Sequence, residues 1–553
     1  FRNGYINSMS KVAHYLQEHL LGEVTASEDA RTFFSTDSSI FHVTPSIIVY
    51  PRTEQDVRKT ARFTWQLAER GRVLPITARG AGTDQSGSAI GPGIVLVFPA
   101  HMNRIVQLDM KTGNTVVEPG LMYGRLQQTL HTHDRFLPPY PASFDYSTIG
   151  GAVGNNASGE KSFKYGSTED YVKGLRVVLA NGEVITTGRL AKRELSKKLG
   201  LSTFEGEIYR QLDTLIEEHK DTLKAMELGV SKNTAGYNLA DVKQANGSFD
   251  LTPLFVGSQG TLGLITEITL ATEEFNPETT LFMASFDSVD SACEAVTELR
   301  HLPDRPSSIE MVDGHLLSFV NRLNPNQLKG VVDTPIPSMM LFIEYDNVGD
   351  RNRKKCAKRT RRILDKLATK YEQADEYESR MRLWKVRNAS SSLLSHTENR
   401  LKAVPIIDDA IVPVASLAEL IKGAYALFAA AKLQVAAWGH AGDGNIHLQP
   451  FFDLAQLGDR QRAFRLYEEY YKLVLSLGGS TSGQSGDGRL RAPLLPQVYG
   501  ADAYALLEKV KAIFDPYGTL NPGVKIGVTL DQVKPLVRGH YSLSHLYTHM
   551  RRS

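Results

Sequence analysis

Cysteine is scarce in this sequence: among its 553 residues, only Cys293 and Cys356 carry a thiol. Two thiols cannot build a disulfide framework, a cysteine-rich zinc site or an iron–sulfur cluster with four thiolate ligands. Any redox chemistry of this chain is therefore expected to use an organic cofactor or another protein.

Long apolar runs are absent as well. No segment approaches the roughly 18 consecutive apolar residues of a membrane-spanning helix, and the first residues lack the apolar stretch of a secretory signal. We expect a cytoplasmic protein, or one that is peripheral to the inner face of a membrane.

Neither charge sign is in excess. The 63 Lys and Arg residues nearly balance the 61 Asp and Glu residues, which leaves a formal net charge of +2. Binding dominated by nucleic-acid phosphates needs a larger positive excess, so we expect no nucleic-acid partner. With 42% hydrophobic and 22% charged residues, the composition is typical of a globular protein with a substantial core. At roughly 150 residues per domain, the length predicts at least two domains.

The first half of the sequence alternates strands with glycine-rich segments. A strand at Ser46–Tyr50 comes first, and a glycine-rich loop, Arg79–Gly87, then lies between strands at Val73–Thr77 and Gly93–Phe98. A dinucleotide-binding fingerprint needs GxGxxG at a turn from strand to helix. Because Gln85 stands at the third glycine position and the next segment is extended, a Rossmann interpretation fails.

Two further glycine-rich segments follow. Thr148–Gly159 is interpreted as a loop between strands, and Gly257–Gly263 precedes a strand at Leu264–Leu270. Consecutive backbone N–H groups around glycines with positive φ form an anion-binding nest, and phosphate is its natural guest. One such loop alone is more often an ordinary tight turn. Three of them let the backbone approach one large, flat ligand.

A new pattern begins in the second half of the chain. A strand near Leu281 precedes a helix at Ser288–His301, and a strand at Met340–Tyr345 precedes a long basic helix at Arg351–Tyr371. This order predicts a separate α+β domain of about 250 residues.

The three glycine-rich segments resemble those of a known family. PITARGAGTDQSGSAIGPGIVLVF (75–98), TIGGAVGNNASGEKSFKYGSTEDYVKGLRVVLANG (148–182) and LFVGSQGTLGLITEITL (254–270) are similar to the FAD-contacting segments of the vanillyl-alcohol-oxidase-type (PCMH-type) flavoproteins. Within that family, the branch of D-lactate, glycolate and D-2-hydroxyglutarate dehydrogenases is the most similar, and the resemblance covers roughly Val43 to Val528.

This resemblance implies an α+β fold. It consists of a two-subdomain FAD-binding domain of the vanillyl-alcohol-oxidase type and an α+β substrate (cap) domain with an antiparallel sheet. The expected divisions are an N-terminal helical lead-in at 1–42, the FAD-binding domain at 43–275, the cap domain at 276–480, a C-terminal segment that returns to the flavin site at 481–530, and a tail at 531–553, of which Val537–Ser553 is expected to be solvated.

The resemblance also implies cofactor contacts. Arg79–Thr83 would bind the FAD pyrophosphate, Gly150–Asn156 would line the flavin, and Gly260–Ile265 would lie near the adenine and ribose. No His lies among residues 79–88, where some relatives tether FAD, so non-covalent FAD is expected. Gln259 is a departure, since these proteins often carry Glu there. The expected cofactor-binding residues are Arg79, Gly80, Ala81, Gly82, Thr83, Asp84, Ser88, Gly150, Gly151, Gly154, Asn155, Asn156, Ser158, Gly159, Tyr165, Gly166, Gly260, Thr261, Gly263, Ile265 and Asn521.

Two histidines stand seven residues apart in Trp438-Gly-His440-Ala-Gly-Asp-Gly-Asn-Ile-His447. On one straight strand they would face opposite sides, but Ala441–Gly444 can bend the chain so that both point to one place. Such a pair alone is more often a packed or surface pair than a metal site. The resemblance implies that both histidines hold a divalent metal, zinc or manganese, and that Asn445 belongs to the catalytic set.

The motif expected to complete that site is altered. In the family it is SGEHG, whose Glu is the third ligand and whose His is the base, whereas this chain has Ser482-Gly-Gln484-Ser485-Gly. A neutral amide oxygen is a poor replacement for a carboxylate on such cations, and a Ser hydroxyl is no general base near neutral pH. We expect the metal site to be weak or empty.

Leu383-Trp-Lys-Val-Arg387 resembles the family's LWxxR motif, whose Arg holds the substrate carboxylate through two parallel hydrogen bonds. Without the resemblance, Arg387 would be interpreted as an ordinary surface residue of a helix. Asp408-Asp409 resembles an acidic segment of longer members of the branch, many of which carry an appended cysteine-rich iron–sulfur domain.

Three functions stay open at this point. The first is an FAD-linked dehydrogenase or oxidase of D-2-hydroxy acids, in which Arg387 holds the carboxylate, His440 and His447 complete the centre, and hydride passes from substrate C2 to flavin N5. The second is a flavoprotein of the same fold with another substrate or non-redox chemistry, and the third is an FAD-carrying subunit without catalysis. The expected partners are a small 2-hydroxy carboxylate, an external electron acceptor (a quinone, a cytochrome or a separate iron–sulfur protein) and a second copy in a homodimer.

Overall fold

The computed structural model describes residues 2–395, 397–398 and 400–546. Two sheets form the N-terminal unit. The first has four strands in the order Glu23–Thr25, Ile47–Tyr50, Ile94–Val97 and Ile76–Arg79, of which the last three are parallel. The second has five antiparallel strands in the order Ile105–Asp109, Asn114–Val117, Leu264–Ala271, Val172–Val178 and Val184–Thr186. A two-stranded ribbon joins Arg135–Phe136 and Glu273–Glu274.

Helices surround these sheets. They are Arg2–His19, Glu28–Phe33, Glu54–Glu69, Tyr123–His131, Ile149–Asn155, Ser162–Tyr165, Thr168–Tyr171, Lys192–Leu199, Phe204–Glu218, Lys220–Ala225 and Thr252–Phe255. Glu54–Glu69 illustrates why they form. Its buried face recurs every three or four residues at Val57, Ala61, Thr64 and Ala68, and the chain leaves the helix at Gly71, whose φ is +76°.

The segment Thr148–Gly159 differs from its interpretation as a loop. Residues Ile149–Asn155 form a helix whose N-cap is Thr148, because the Thr148 side chain accepts a hydrogen bond from the Gly151 backbone N–H. Gly150 is required there, since an added Cβ would lie 2.6 Å from Pro119 Cβ. Gly150, one of the glycines that suggested a loop, therefore serves the close approach of this helix to Pro119.

The second unit is built on a seven-stranded antiparallel sheet, which confirms the expected α+β fold. The strand order is Lys370–Ala374, Thr280–Phe286, Met339–Tyr345, Ser308–Asp313, Ala437–His440, Asn445–Leu448 and Ala410–Ile411. A small three-stranded sheet contains Thr397–Glu398, Leu401–Ala403 and Phe451–Phe452. The helices are Val289–Arg300, Gly314–Leu323, Pro325–Leu328, Asp350–Leu367, Tyr377–Arg387, Ser390–Ser395, Leu417–Ala430 and Leu457–Ser476.

The basic helix begins at Asp350 and ends at Leu367, four residues before the expected end at Tyr371. The next residues leave the helix because Lys370–Ala374 pairs as an edge strand with Thr280–Phe286. Tertiary pairing overrides local helix propensity at this point.

The chain returns to the N-terminal unit after the second sheet. Helices Leu495–Tyr499, Ala501–Phe514 and Leu530–Val533 form this segment. Leu506, Leu507 and Val510 are buried in the same core as Leu212 and Phe255 of the N-terminal unit. Burying one such Leu contributes roughly 1.5–3 kcal/mol, so this return is an integral part of that core.

The interpretation of residues 537–553 as a solvated tail is wrong for the described part, residues 537–546. Arg538, Tyr541 and His545 are buried. The Arg538 guanidinium donates to the Ser39 carbonyl at 2.7 Å, and the Tyr541 hydroxyl donates to the Ser38 carbonyl at 3.0 Å. Long amphipathic side chains bury their stems against the protein, which a count of charges in the sequence does not reveal. Residues 547–553 lie outside the described residues.

Among the residues that the structure describes, none of the helices combines the length and the hydrophobicity needed to cross a lipid bilayer.

Candidate active site

A cleft of about 710 Å³ lies where the three glycine-rich segments meet the second unit. The expected cofactor residues that line it are Arg79, Gly80, Ala81, Gly82, Thr83, Asp84, Ser88, Gly150, Gly151, Gly154, Asn155, Ser158, Gly260, Gly263 and Ile265. Arg387, Trp438, His440, His447, Gln484 and Ser485 line it from the other side. The structure therefore brings the two separately expected constellations to one cavity.

Some expected site residues lie outside the lining of this cleft: Asn156, Gly159, Tyr165, Gly166, Thr261, Asn521 and Asn445. Tyr165 donates its hydroxyl proton to Asp346 at 2.8 Å, and Thr261 donates to the Ser258 carbonyl at 2.7 Å. Asn445 donates to Asp409 at 3.2 Å and to the Ala410 carbonyl at 3.0 Å. These three side chains bind other parts of the protein and so stabilise the walls of the cleft without lining it.

Arg79 supports the first glycine-rich loop, Arg79–Gly87, through hydrogen bonds of its side chain. Its guanidinium is buried and donates to the carbonyls of Thr36 at 2.8 Å and Ala89 at 3.3 Å. Burial lowers the pKa of Arg79 to about 10, which leaves it charged near pH 7. The side chain is thus engaged in hydrogen bonds within the protein that hold the loop in place.

Asp84 shapes the same loop. Its carboxylate accepts hydrogen bonds from the backbone N–H groups of Ser86 at 3.1 Å and Ser88 at 2.7 Å, and from the Asn155 amide at 3.1 Å. The last contact joins the first glycine-rich segment to the second.

Gln259 joins the second and third segments. Its amide nitrogen donates to Asn155 Oδ1 at 2.9 Å, and its amide oxygen accepts from the Gly488 backbone N–H at 2.8 Å. A carboxylate could accept but could not donate, so Gln at this position suits a partner that presents an oxygen. Asn521 completes the connection by donating to the carbonyls of Ser88 and Gln259 at 2.9 and 2.8 Å.

The glycine-rich wall has room for a flat cofactor. At Gly154, an added Cβ would find its nearest neighbour, Gln259 Cα, only at 4.0 Å. The missing side chain therefore leaves open space and does not relieve a clash. Gly82 and Gly260 have φ of +76° and +72°, a backbone conformation that glycine adopts readily and that anion-binding nests use. These features fit the FAD that the matched FAD binding domain implies.

A buried carboxylate, Glu310, organises the opposite wall. One of its oxygens accepts from His440 Nδ1 at 2.8 Å, and the other accepts from Arg387 Nε at 2.9 Å and Nη2 at 2.6 Å. Burial alone would raise the pKa of Glu310, but its interactions and hydrogen bonds with His440 and Arg387 outweigh burial and hold the pKa at about 2. Burial lowers the pKa of His440, so a neutral imidazole with its proton on Nδ1 is the form expected near pH 7.

His447 has its own carboxylate. Its Nδ1 lies 2.7 Å from Asp408 Oδ1, and Asp408 Oδ2 accepts from the Gln449 amide at 3.0 Å. Burial would raise the pKa of Asp408, but His447 and these hydrogen bonds keep it below its ordinary value. The bend at Ala441–Asp443 brings the ring centroids of His440 and His447 to 5.4 Å from each other.

These residues do not fit a divalent metal. The Gln484 amide nitrogen lies 3.1 Å from His447 Nε2. It therefore engages the lone pair of that nitrogen, which His447 would need to bind a metal. In the part of the chain that the structure describes, no cluster of three His, Cys, Asp or Glu residues could hold a metal ion. A zinc site in an enzyme normally has three protein ligands, and only His440 and His447 are suitable here.

Sequence reasoning missed Glu310 and Lys232. Glu310 could have been suspected, because a Glu between the apolar Ile309 and Met311 of the fully buried strand Ser308–Asp313 needs a charged partner. Lys232 stands in an irregular segment without any pattern, and only the fold brings its ammonium to within 3.3 Å of Gln484 Oε1.

Comparisons with known proteins agree with this architecture. Residues 45–188 match the model of an FAD binding domain, and residues 276–524 match the C-terminal domain of the FAD linked oxidases. The chain is 30% identical to D-2-hydroxyglutarate dehydrogenase of Escherichia coli (strain K12) over 92% of this chain and 50% of that protein. It is 28% identical to glycolate oxidase subunit GlcD of Bacillus subtilis (strain 168), over 90% of this chain and 92% of that protein. It thus spans about half the length of the D-2-hydroxyglutarate dehydrogenases that it matches.

Solved structures share the fold at low sequence identity. p-Cresol methylhydroxylase with bound substrate has a TM-score of 0.68 at 16% identity, and covers 95% of this chain and 98% of its own. 4-Ethylphenol oxidase from Gulosibacter chungangensis has a TM-score of 0.67 at 15% identity, with 96% and 99% covered. Because both domain models match in order, the chain combines an FAD binding domain with the C-terminal domain of the FAD linked oxidases, and it shares the fold of p-cresol methylhydroxylase.

Proposed function

We propose that this chain is an FAD-dependent dehydrogenase of a small D-2-hydroxy carboxylate. The observation that carries the proposal is the buried Arg387–Glu310–His440 arrangement in the wall of the cleft, opposite the glycine-rich segments. The names of the relatives, which act on D-2-hydroxyglutarate, glycolate and D-lactate, support the same substrate class.

Arg387 is the proposed anchor of the substrate carboxylate. Its Nε and Nη2 donate to Glu310, which fixes the plane of the guanidinium and leaves Nη1 to face another acceptor. A guanidinium whose orientation is already fixed loses little conformational entropy when it binds a carboxylate. Hydrogen bonds between these two charged groups are stronger than those between neutral groups.

His440 is the proposed acceptor of the hydroxyl proton, in place of the histidine that Ser485 replaces. Glu310 binds Nδ1, so the lone pair of a neutral imidazole lies on Nε2. A carboxylate behind a histidine orients the ring and stabilises the imidazolium formed when it takes a proton. His447 is less suitable because its Nε2 faces the Gln484 amide.

Bound in the cleft, FAD would supply the acceptor for the hydride that leaves substrate C2. The electrons then need an acceptor outside this chain, such as a quinone, a cytochrome or a separate iron–sulfur protein, since the two cysteines of this chain cannot hold a four-thiolate cluster.

The test is anaerobic mixing of the purified flavoprotein with D- and L-2-hydroxy acids while the visible flavin absorption is recorded. We expect bleaching by at least one D-2-hydroxy acid and no bleaching by its L-enantiomer. A flavin that stays oxidised with every acid, or that is reduced only by compounds without a carboxylate, would contradict the proposal.

A further inference from the structure

Lys232 is a buried cation next to the altered motif. Its side chain is 6% exposed. Its ammonium donates to Ser158 Oγ at 2.9 Å, Ser162 Oγ at 3.2 Å and Gln484 Oε1 at 3.3 Å, and lies 3.6 Å from Asp443 Oδ2. An ammonium has three protons and no lone pair, so all of its donors are used.

These contacts determine which way the Gln484 amide points. Because Lys232 can only donate, the atom that faces it must be the amide oxygen. The amide nitrogen therefore faces His447 Nε2, at 3.1 Å. His447 can accept there because its other nitrogen, Nδ1, gives its proton to Asp408 at 2.7 Å. The result is a series of hydrogen bonds in which each residue donates to the next, from Lys232 through Gln484 and His447 to Asp408.

One N–H donor in this series of hydrogen bonds stays available to the cleft. An amide nitrogen carries two protons. Among the described residues, the contact with His447 uses one of them, and no other contact uses the second. Gln484 lines the same cleft as Arg387 and His440. Its second N–H is therefore a candidate donor to an oxygen of a ligand held by Arg387.

We propose that Lys232 is a positioning residue, which orients Gln484 so that its free N–H donates to a substrate oxygen and the site binds 2-hydroxy carboxylates without a divalent metal. The inference rests on the proposed function for the identity of the substrate. It goes beyond that function by assigning the contact that takes the place of a metal ligand.

The experiment uses oxalate, a dicarboxylate that cannot be oxidised by removal of a hydride from C2. Its binding to the oxidised flavoprotein is titrated by the change in flavin absorption and by calorimetry, for the unmodified protein and for Lys232→Met, Gln484→Leu and the double variant. We expect each single change to raise the dissociation constant by roughly tenfold to a hundredfold, the range for a hydrogen bond to a charged group. The double variant should be no weaker than the weaker single variant, because both changes remove the same donor.

Two further variants separate positioning from folding. Lys232→Arg keeps a donor to Gln484 and should recover part of the affinity. Lys243→Met is the matched control, since Lys243 is also a partly buried, paired lysine, bound to Asp213 at 2.6 Å, and does not line the cleft. It should leave oxalate affinity unchanged. Losses that add up in the double variant, or an unchanged affinity in Lys232→Met, would overturn the inference.

A metal arm completes the test. The protein is exposed to excess zinc or manganese, desalted and analysed for bound metal, and the oxalate titration is repeated with a chelator. We expect far less than one metal per chain and the same oxalate affinity with chelator. Stoichiometric metal whose removal abolishes oxalate binding would overturn the inference. The proposed function fails separately, if oxalate behaves as expected but no 2-hydroxy acid reduces the flavin.

Discussion

The replacement Glu310→Gln tests the centre of the proposed site. Glu310 is fully buried and binds His440 and Arg387, and its pKa is held at about 2 instead of the ordinary 4.5. At about 1.4 kcal/mol per pKa unit, this difference corresponds to about 3 kcal/mol of stability at neutral pH. The replacement also leaves the Arg387 guanidinium buried without its counter-charge, which is the same lost interaction seen from the other partner and is already contained in this figure.

The expected thermal effect follows from the size of the second unit. In a unit of about 250 residues, 1 kcal/mol shifts the melting temperature by roughly 2–4 °C, so Glu310→Gln should lower it by roughly 6–12 °C at pH 7. The stabilisation is complete above the ordinary pKa of 4.5 and is lost as the pH falls toward 2, because the depressed group is then protonated in both states. The difference between the two proteins should therefore shrink between pH 5 and pH 3.

Differential scanning calorimetry across this pH range is the assay. Glu278→Gln is the control, because Glu278 is 69% exposed and pairs with Arg353 at the surface, where an ion pair contributes at most about 1 kcal/mol. Equal melting temperatures at pH 7, or a difference that stays constant down to pH 3, would refute the assignment of Glu310 as the charged centre of the site.

Three further outcomes are expected. Acid precipitation should release FAD into the supernatant, since no His lies among residues 79–88; flavin that stays with the pellet would contradict non-covalent binding. Arg387→Lys should weaken substrate binding by roughly 1.5–3 kcal/mol, read as a rise in KM, because an ammonium lacks the planar two-donor edge; unchanged saturation would return Arg387 to a purely structural role. Gln484→Glu combined with Ser485→His should retain zinc or manganese and raise D-2-hydroxy acid turnover by about a hundredfold or more; equal turnover by the unmodified protein would contradict a diverged centre.

The fold could be predicted where a local pattern and tertiary packing agree. The parallel strands around the first loop and the helix after Thr53 follow directly from apolar periodicity and from Gly71. The segment Thr148–Gly159 was misinterpreted because Gly150 serves helix packing against Pro119, which no local pattern records. The tail was misinterpreted for the same reason, since Arg538 and Tyr541 bury against residues nearly 500 positions earlier.

The site could be predicted only in part. His440 and His447 were visible because a short turn joins them, and Arg387 because it stands in a motif. The roles of Glu310 and Lys232 depend on contacts that span 130 and 252 residues, to His440 and Gln484 respectively. Such contacts arise from the fold as a whole, so the hydrogen-bonding state of Gln484 could not be worked out from its neighbours in sequence.

The cofactor loop is supported by residues from the far end of the chain. Thr77 donates to Asn521, 444 residues later, and His545 Nε2 lies 3.0 Å from the Gly82 carbonyl. During synthesis on the ribosome, the loop emerges long before Asn521 and His545, so it lacks these supports until both residues have been made. We therefore expect stable flavin binding only after residues 521–545 have folded against the loop.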